Sequence, residues 1–302
     1  MKYSDKTGKQ NPQESNIISG SLRSIFTPEK YISPYPEKWN PSIISRLWNS
    51  ICYRLANRGI AVRSNERNIL NYRDSCENCR IFILGNGPSL NKLDLTKLKN
   101  ETTIGVNSLF LAYDKMGFSP THYVVEDIFV AEDRSAEINA LTGSQKWFGN
   151  YLRYCLDDAP QTNWINVRMR YDNDPNFPAF STNIAREAWT GGSVTYICLQ
   201  LAYYLGAKEV YLIGFDHNYI VPETAEVEGN TIMSTSDDPN HFHPDYFGKG
   251  YRWHDPKVDR MEKGYRKAGK FFETDGRRVY NATAGGKLEC FERVDYNSLF
   301  LD

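Results

Sequence analysis

The stretch IFILGNGPSL, residues 81–90, decides the fold of this chain. Its four leading apolar residues predict a buried β-strand, and the glycines that follow predict a tight turn into a helix. Gly85 and Gly87 permit close backbone approach, while Pro88 suits the first helical turn. The N–H groups of such a turn can face an anion, although a purely structural turn has the same pattern.

The turn lacks two features of well-known nucleotide loops. It has no Lys for a β- or γ-phosphate, as in a P-loop, and no third glycine, as in a dinucleotide fingerprint. We therefore expect Gly85, Asn86, Gly87 and Ser89 to hold a less charged phosphate or a ribose edge, with the Asn86 amide making the specific contact.

Around this stretch, short β-branched runs alternate with helical patterns. The runs cover residues 80–85, 102–107, 121–127, 163–167 and 209–216. The alternation predicts an α/β, Rossmann-like fold, with a mostly parallel sheet and helices on both faces. We assign residues 76–302 to this nucleotide-binding catalytic domain and residues 1–75 to an N-terminal arm with an amphipathic helix.

Ligands bind such sheets beyond the carboxyl ends of the strands, where the strand order reverses. Polar residues stand at these ends and are candidate substrate or nucleotide contacts: Asn107, Glu126, Asp127, Asp216 and His217. Polar strand caps are also common, so each position has a structural alternative. Before the helix at 193–206, Gly191 and Gly192 would let a ligand approach, and Ser193 is either a contact or an N-cap.

Residues 221–256 form a long segment with little periodicity and many Gly, Pro, His and Tyr residues. Such a segment predicts a lid or a disordered loop, and its aromatic content favours a lid. His217, His241, His243 and His254 stand where a general base can reach a bound substrate. His122 lies within a strand and is assigned to packing.

Composition excludes several classes of protein. Lys and Arg total 36 against 37 for Asp and Glu, which makes no electrostatic case for nucleic acid as the ligand. No apolar stretch predicts a signal peptide or a membrane span. The six scattered cysteines favour a reducing cytoplasm, and the single CxxC at 76–79 lacks the second ligand pair of a zinc site.

Residues 40–58 predict an amphipathic helix, with Asn40 as cap, Pro41 at the first position and Gly59 as its stop. Its polar face carries arginines and no acid. The helix either packs on the main domain or contacts an anionic membrane surface from the cytoplasmic side. The sequence leaves the oligomeric state open, and a homo-oligomer is one alternative.

Three segments carry a family resemblance: residues 81–90, residues 191–216, and YRWHDPKVD at 251–259. The chain resembles the bacterial sialyltransferases that act on surface glycans, and the broader family of 6-hydroxymethylpterin diphosphokinase MptE-like proteins. The resemblance covers about residues 78–290 and leaves the first 75 outside.

The resemblance implies roles for residues of this chain. Asn86 and Asn107 would hold a cytidine nucleotide, together with the turn at 191–193. His254 would be the general base, with Asp259 five residues later at the start of the final helix. The tyrosines Tyr219, Tyr246 and Tyr251 would stabilise the leaving phosphate, although none aligns cleanly with the family pattern.

The leading hypothesis is a cytoplasmic glycosyltransferase that transfers a sugar from a nucleotide-activated donor, CMP-linked by preference, to a surface-polysaccharide or lipid-linked acceptor. No obligatory metal is expected, although Glu126, Asp127 and Asp216 can recruit Mg²⁺. The alternative is an ATP-dependent diphosphokinase with Asp127 and Asp216 as Mg²⁺ ligands; no Lys/Arg cluster at the strand ends supports it. A third alternative is a non-catalytic nucleotide-binding module.

Overall fold

The computed structural model describes residues 42–58, 60–169 and 177–301. Its centre is an eight-stranded sheet with the order β13-β12-β8-β1-β2-β3-β4-β5, in which every pair of neighbours is parallel. Its strands are β1 Arg80–Leu84, β2 Thr102–Val106, β3 His122–Val125, β4 Gln145–Gly149, β5 Thr162–Ile165, β8 Glu209–Ile213, β12 Arg278–Asn281 and β13 Glu292–Arg293. The predicted α/β fold is confirmed.

The remaining elements surround this sheet. The helices are α1 Ile43–Asn57, α2 Ser64–Asn71, α3 Tyr113–Met116, α4 Ile128–Asp133, α5 Ser135–Ala140, α6 Val194–Tyr204 and α7 Val258–Thr274. Single 3₁₀ turns cover Pro88–Lys92, Leu95–Leu98, Asn107–Ala112, Asn150–Tyr154 and Asn297–Phe300. Two small sheets complete the fold: parallel β6 Val167–Arg168 with β7 Ala188–Trp189, and antiparallel β9 Glu226–Glu228, β10 Thr231–Met233 and β11 Arg252–His254.

Strand β1 is apolar throughout because both faces of the sheet are covered. Ile81 and Ile83 join the core that contains α6 and α7. Phe82 and Leu84 point into a second core, made with the 3₁₀ turns that follow β1 and β2. Successive side chains of one strand therefore anchor both layers.

The strand order reverses between β1 and β8. After β1 the chain builds β2 to β5 on one side, then crosses back through α6 to place β8 on the other. The loops after β1 and β8 thus diverge at one point of the sheet edge. A crevice opens at such a point, and ligands bind there in doubly wound folds.

Helix α1 begins at Ile43, and its N-cap is Ser42, whose hydroxyl accepts a hydrogen bond from Ser45 N at 3.2 Å. Asn40, Pro41 and Gly59, the predicted cap, first residue and stop, lie outside the described residues. Among the helix side chains that the structure describes, Ser50, Cys52 and Ala56 are buried, whereas Ile43, Ile44 and Trp48 remain exposed. The predicted apolar stripe is therefore covered only in part.

Helix α2 packs on the edge strand β5, and Ile69, which is 1% exposed, belongs to the main core. Across the described residues, no helix is both long and apolar enough to span a bilayer. Cys76 and Cys79 are joined in a disulfide, and the other described cysteines are outside any disulfide. The expectation of reduced cysteines therefore does not hold for the CxxC pair.

The predicted lid, residues 221–256, contains regular structure that its sequence did not indicate. Strands β9, β10 and β11 form the small antiparallel sheet within it. Each strand is only three residues long, too short to show alternation. The sheet places His254 opposite Thr231 and turns it toward the edge of the main sheet.

Candidate functional site

A cavity of about 380 Å³ lies at the reversal point of the sheet. Its walls come from the loops after β1, β2, β3 and β8, the start of α6, the lid and the start of α7. Many of the residues that sequence reasoning selected line it: Gly85, Asn86, Gly87, Asn107, Glu126, Asp127, Gly192, Ser193, Asp216, His217, Tyr219, Tyr246 and His254. The cavity brings together residues that are distant in sequence: Glu126 and Lys257, which both line it, are 131 positions apart.

The glycine loop is held tightly against the loop after β8. Gly87 N donates to Gly214 O at 2.8 Å, and a methyl group at Gly87 would overlap the Asp216 carboxylate. Asp216 Oδ2 accepts hydrogen bonds from Ser89 N at 3.2 Å and Ser89 Oγ at 2.7 Å. Ser89 is fully buried and does not line the cavity, so its role here is to fix the loop through Asp216.

Two amide oxygens in the cavity wall have no hydrogen-bond partner in the part of the chain that the structure describes. Asn86 is 8% exposed; its Nδ2 donates to Val106 O at 3.2 Å and to Tyr246 Oη at 2.9 Å, while its Oδ1 is buried and unpartnered. Asn107 Oδ1 is likewise buried and unpartnered, and Asn107 has a left-handed φ of 48°. Buried acceptors of this kind cost free energy unless a ligand donates to them.

Asp127 and His254 form the central ion pair of the cavity. Asp127 Oδ1 caps α4, accepting from Phe129 N at 2.8 Å and Val130 N at 3.3 Å, and Asp127 Oδ2 lies 3.4 Å from His254 Nδ1. Burial lowers the pKa of His254, but the hydrogen bond and charge of Asp127, aided by Glu126, outweigh burial and raise that pKa above its ordinary value.

The other ring nitrogen of His254, Nε2, has no hydrogen-bond partner among the described residues. The imidazole stacks on Phe129, with 4.3 Å between ring centres and 13° between planes. An imidazole that is held at Nδ1 by a carboxylate and against a flat ring presents Nε2 in a defined direction. This is the arrangement of a general base.

Glu126 precedes this pair and is half-buried. Burial, then the neighbouring charge of Asp127, raises the pKa of Glu126 to about 7, and His254 opposes the shift. Its backbone oxygen accepts from Tyr151 Oη at 2.5 Å. The protonated form of this carboxyl is therefore favoured by its surroundings, and that form can donate as well as accept a hydrogen bond.

The turn at 191–193 reaches the cavity with two of its three residues. Gly192 and Ser193 line it at the start of α6, but Gly191 packs on Tyr196 with no room for a side chain. Ser193 does not cap α6 with its side chain; its Oγ instead lies 2.8 Å from Tyr265 Oη. Gly191 is therefore a packing residue, whereas Ser193 is the N-cap residue of α6 by position, without a side-chain capping bond, and also lines the cavity.

The three tyrosines assigned to the leaving phosphate have different surroundings. Tyr246 is buried, bonded to Asn86, and burial raises its pKa. Tyr219 lines the cavity, with its hydroxyl 4.0 Å from Met261 Sδ. Tyr251 is not among the lining residues, and the Arg134 guanidinium lies 4.3 Å from its ring centre. Tyr251 therefore anchors the lid and does not face a ligand.

Asp259 is not brought to His254. It lies in the first turn of α7, is exposed, and is absent from the cavity wall. The carboxylate beside His254 is that of Asp127, 127 positions away in the chain. The spacing between His254 and Asp259 therefore did not identify the partner, because the pair forms across the cavity and not along one helix.

His217 is a poor candidate for a proton acceptor. It has a left-handed φ of 52°, and its side chain is 4% exposed with Nε2 3.5 Å from Glu262 Oε1. Burial lowers its pKa, and Glu262 opposes that effect. His122 is buried as expected and accepts a hydrogen bond from Trp147 Nε1 at 3.1 Å.

Sequence reasoning missed the residues that hold the lid on α4. Arg252 Nη2 bonds to Glu132 at 3.0 Å and to Asp133, and its guanidinium lies 4.6 Å from the centre of the Phe129 ring. Arg134 donates to the backbone oxygens of Asp245 and Tyr246. The charged run EDR at 132–134 could have indicated ion pairs, but the residues that bond to it lie more than 100 positions away in the chain.

Lys257 and Arg260 were missed as well. Both line the cavity at the start of α7, and a side chain at Gly192 would come within 3.1 Å of the Arg260 stem. The sequence showed no cluster of Lys or Arg at the strand ends, but it did not show that cations enter the cavity from elsewhere. Two cations reach the cavity from a helix instead.

A protein-held divalent ion fits these residues poorly. Asp127 uses both carboxylate oxygens and Asp216 uses Oδ2, while burial favours the neutral form of Glu126. No group of three or more His, Cys, Asp or Glu side chains suited to a metal occurs within residues 42–58, 60–169 and 177–301. A Mg²⁺ ion that enters with a substrate phosphate is a different case, since the phosphate supplies ligands of its own.

The chain was compared with known proteins by sequence and by structure. The model of the 6-hydroxymethylpterin diphosphokinase MptE-like family matches residues 59–221, and no curated protein matches the chain. Among solved structures, the MAf glycosyltransferase from Magnetospirillum magneticum AMB-1 is similar, with 15% identity and a TM-score of 0.47. That alignment covers 87% of this chain and 44% of the other, so this chain spans less than half of that glycosyltransferase. Because the family match extends over more than half of the 302 residues, the chain belongs to the 6-hydroxymethylpterin diphosphokinase MptE-like family.

Proposed function

We propose that the protein is a glycosyltransferase that transfers a sugar from a nucleotide-activated donor to a hydroxyl of a glycan or lipid-linked acceptor. The observation that carries the proposal is the Asp127–His254 pair, which shares its cavity with the glycine loop. The N–H groups of Gly85, Gly87 and Ser89 are bonded within the protein, so the loop offers a ligand the Asn86 amide and not an anion site. A base and a nucleotide-binding wall in one cavity are two elements that such a transfer needs.

His254 acts as the general base. Its Nε2 takes the proton of the acceptor hydroxyl as the acceptor oxygen attacks the anomeric carbon of the donor. Asp127 keeps Nδ1 protonated and stabilises the imidazolium that results. A correctly positioned base of this kind contributes about 10²- to 10⁴-fold to the rate.

The donor binds at the glycine loop, and a CMP-linked sugar suits it best. Asn86 Oδ1 and Asn107 Oδ1 are acceptors that await donors, and a nucleoside offers hydroxyl and amino groups to satisfy them. A single phosphate needs less positive charge than a triphosphate, which agrees with a glycine loop that contains no Lys. Sialic acid as the transferred sugar, and the identity of the acceptor, rest on the sequence resemblance alone.

A diphosphokinase is the second candidate, and one observation favours it beyond the family name. Lys257 and Arg260 bring two cations to the cavity wall, as a polyphosphate would require. In that reaction ATP with Mg²⁺ would give its terminal diphosphate to a hydroxymethyl group, and AMP would leave. His254 would then take the proton of that hydroxymethyl group.

A thermal-shift screen separates the two candidates. The purified protein is heated with CMP, CDP, UDP, GDP or ATP, each with EDTA or with Mg²⁺, because a ligand that binds the folded state raises Tm. Stabilisation by CMP or CDP in EDTA supports glycosyl transfer. If only the combination of ATP and Mg²⁺ raises Tm, the result contradicts glycosyl transfer and supports the diphosphokinase.

Product analysis completes the test. Release of CMP from a CMP-linked sugar is measured beside formation of AMP from ATP and 6-hydroxymethylpterin. If nucleotides bind but neither product forms, and replacement of His254 changes nothing, the protein is a nucleotide-binding module without catalysis.

We also propose that α1 brings the enzyme to the anionic inner surface of the membrane. Ile43, Ile44 and Trp48 are 66%, 80% and 50% exposed, and residues 42–63 contain four arginines and no acid. Apolar side chains beside positive charge match a lipid surface that is apolar below and negative above. A lipid-linked acceptor would be reached from this position.

A further inference from the structure

A second His–Asp pair stands in the same cavity. His241 Nδ1 lies 2.6 Å from Asp238 Oδ2, and both side chains are largely buried. The Asp238 carboxylate is fixed by backbone donors, with Phe247 N at 3.0 Å and Asn240 N at 2.8 Å. The orientation of the His241 ring is therefore set by a carboxylate that is itself immobilised.

The His241 ring is also tied to the glycine loop. It stacks on Tyr246, with 3.9 Å between ring centres and 8° between planes, and Tyr246 Oη is bonded to Asn86. His241 lines the cavity, and its Nε2 has no hydrogen-bond partner among the residues that the structure describes. Because the His241 ring is held at Nδ1 by Asp238 and stacked against Tyr246, Nε2 is the ring nitrogen that can bind a ligand.

The tyrosines assigned to the leaving phosphate are each constrained. Tyr246 is 2% exposed and its Oη accepts a hydrogen bond from Asn86 Nδ2, Tyr251 is outside the cavity wall, and the Tyr219 hydroxyl lies beside Met261. In glycosyl transfer the departing phosphate oxygen gains charge and needs a hydrogen-bond donor. His241 belongs to the lid and lines the cavity. Its ring stacks on Tyr246, which is bonded to Asn86 of the glycine loop that we assign to the nucleotide.

Building on the proposed glycosyl transfer, we propose that His241 is a second catalytic residue, which in its imidazolium form, with Nδ1–H held by Asp238, donates its Nε2–H to the phosphate oxygen of the leaving nucleotide. Asp238 is the positioning residue that holds the ring through Nδ1. His254 and His241 thus divide the work, one accepting the proton of the acceptor and the other serving the leaving group.

The step balances. A bond forms between the acceptor oxygen and the anomeric carbon, and the bond from that carbon to the phosphate oxygen breaks, with its electron pair on the phosphate. The acceptor proton ends on His254 Nε2, and the His241 proton is shared with or passed to the nucleotide. Exchange with water then returns one proton to His241 and removes one from His254.

Binding measurements test the phosphate contact without any turnover. Calorimetry compares CMP with cytidine on the wild type and on two variants, H241Q, which stays polar, and H241F, which keeps the stacking on Tyr246. The control is H243Q, two residues away, whose side chain is 37% exposed and outside the cavity wall. H241F loses a hydrogen bond to a charged group, so it should bind CMP about tenfold more weakly than the wild type or worse, with unchanged affinity for cytidine. H241Q keeps an N–H donor and should lose less CMP affinity.

Turnover separates this inference from the proposed function. If the wild type releases CMP from a CMP-linked sugar, H241Q and H241F should lose kcat by about 10-fold or more while H243Q stays active. If a folded H241 variant keeps both the CMP preference over cytidine and the wild-type kcat, the inference is overturned. If the wild type itself binds CMP no better than cytidine and turns over no donor, the proposed function fails with it.

Discussion

One carboxylate, that of Asp127, joins the start of helix α4 to His254. Oδ1 caps the helix at Phe129 N and Val130 N, and Oδ2 lies 3.4 Å from the imidazole. Helix α4 also carries Glu132 and Asp133, which hold Arg252, two residues before His254. The orientation of the base and the position of the lid therefore depend on the same short helix.

Replacing Asp127 by Asn should separate these functions. The amide oxygen can still cap α4, so Tm should stay near that of the wild type, but the charge that raises the pKa of His254 is lost. Because the base acts when deprotonated, the acid limb of the kcat/KM profile should move to lower pH. H254A should lower kcat by about 10²- to 10⁴-fold. D259N is the matched control, and a shift of its profile equal to that of D127N would refute the pairing.

Glu126 should make stability depend on pH. Its carboxyl has a pKa of about 7 in the folded protein against 4.5 in the unfolded chain, so the folded state binds the extra proton between these values. The contribution of Glu126 to the free energy of unfolding should therefore fall as pH rises from 4.5 to 7 and stay lowered above 7, by at most ~3.4 kcal/mol. E126Q should lack this fall. Urea denaturation at several pH values measures the difference, and parallel curves for both proteins would contradict the buried carboxyl.

Arg252 should control closure of the lid. R252A removes its bonds to Glu132 and Asp133 and its contact with Phe129, which we expect to cost about 1–2 kcal/mol of stability. Hydrogen exchange should accelerate in β9 to β11, and KM for the donor should rise. R266A, which breaks the exposed pair with Glu262, should change stability by less than about 0.5 kcal/mol. Equal exchange rates in the two variants would argue against a role for Arg252 in closure.

Gly87 should tolerate no side chain. A methyl group there would overlap the Asp216 carboxylate and come within 2.8 Å of Gly214 O, which is backbone and cannot move aside. G87A should lose more than about 2 kcal/mol of stability and lose nucleotide binding. G269A in α7 meets only Phe291 at 3.5 Å and should be neutral or more stable by up to about 1 kcal/mol. A G87A protein that melts and binds CMP like the wild type would refute the close packing.

Helix α1 should bind anionic vesicles. Co-sedimentation with phosphatidylglycerol vesicles should exceed that with phosphatidylcholine and weaken at high salt, because the arginines contribute through charge. The triple variant I43S/I44S/W48S should lose this binding. V227S, which changes an apolar side chain that is 60% exposed on the lid, should retain it. Self-association of the wild type that the triple variant abolishes, without any vesicle binding, would point to a second copy as the partner.

Local sequence identified the core strands because their signals are local. Residues 81–84 and 209–213 are short apolar runs bounded by turn residues, and both became central strands. Strand β4 was not predicted from the sequence because Lys146 interrupts its apolar run. That lysine is 2% exposed and donates from Nζ to Ile138 O and Asn139 O, so tertiary contacts satisfy a charge that sequence rules place outside.

By itself the sequence determined the parallel α/β sheet, the glycine loop at the end of β1 and the set of polar residues at the strand ends, since period and turn chemistry act over a few residues. Only the tertiary structure decided the pairs. Asp127 and not Asp259 contacts His254, Ser89 donates to Asp216, and His241 stacks on Tyr246, whose hydroxyl accepts from Asn86 of the glycine loop. The physical reason is distance along the chain, because the fold brings together side chains more than 100 residues apart and no local pattern encodes which of them will touch.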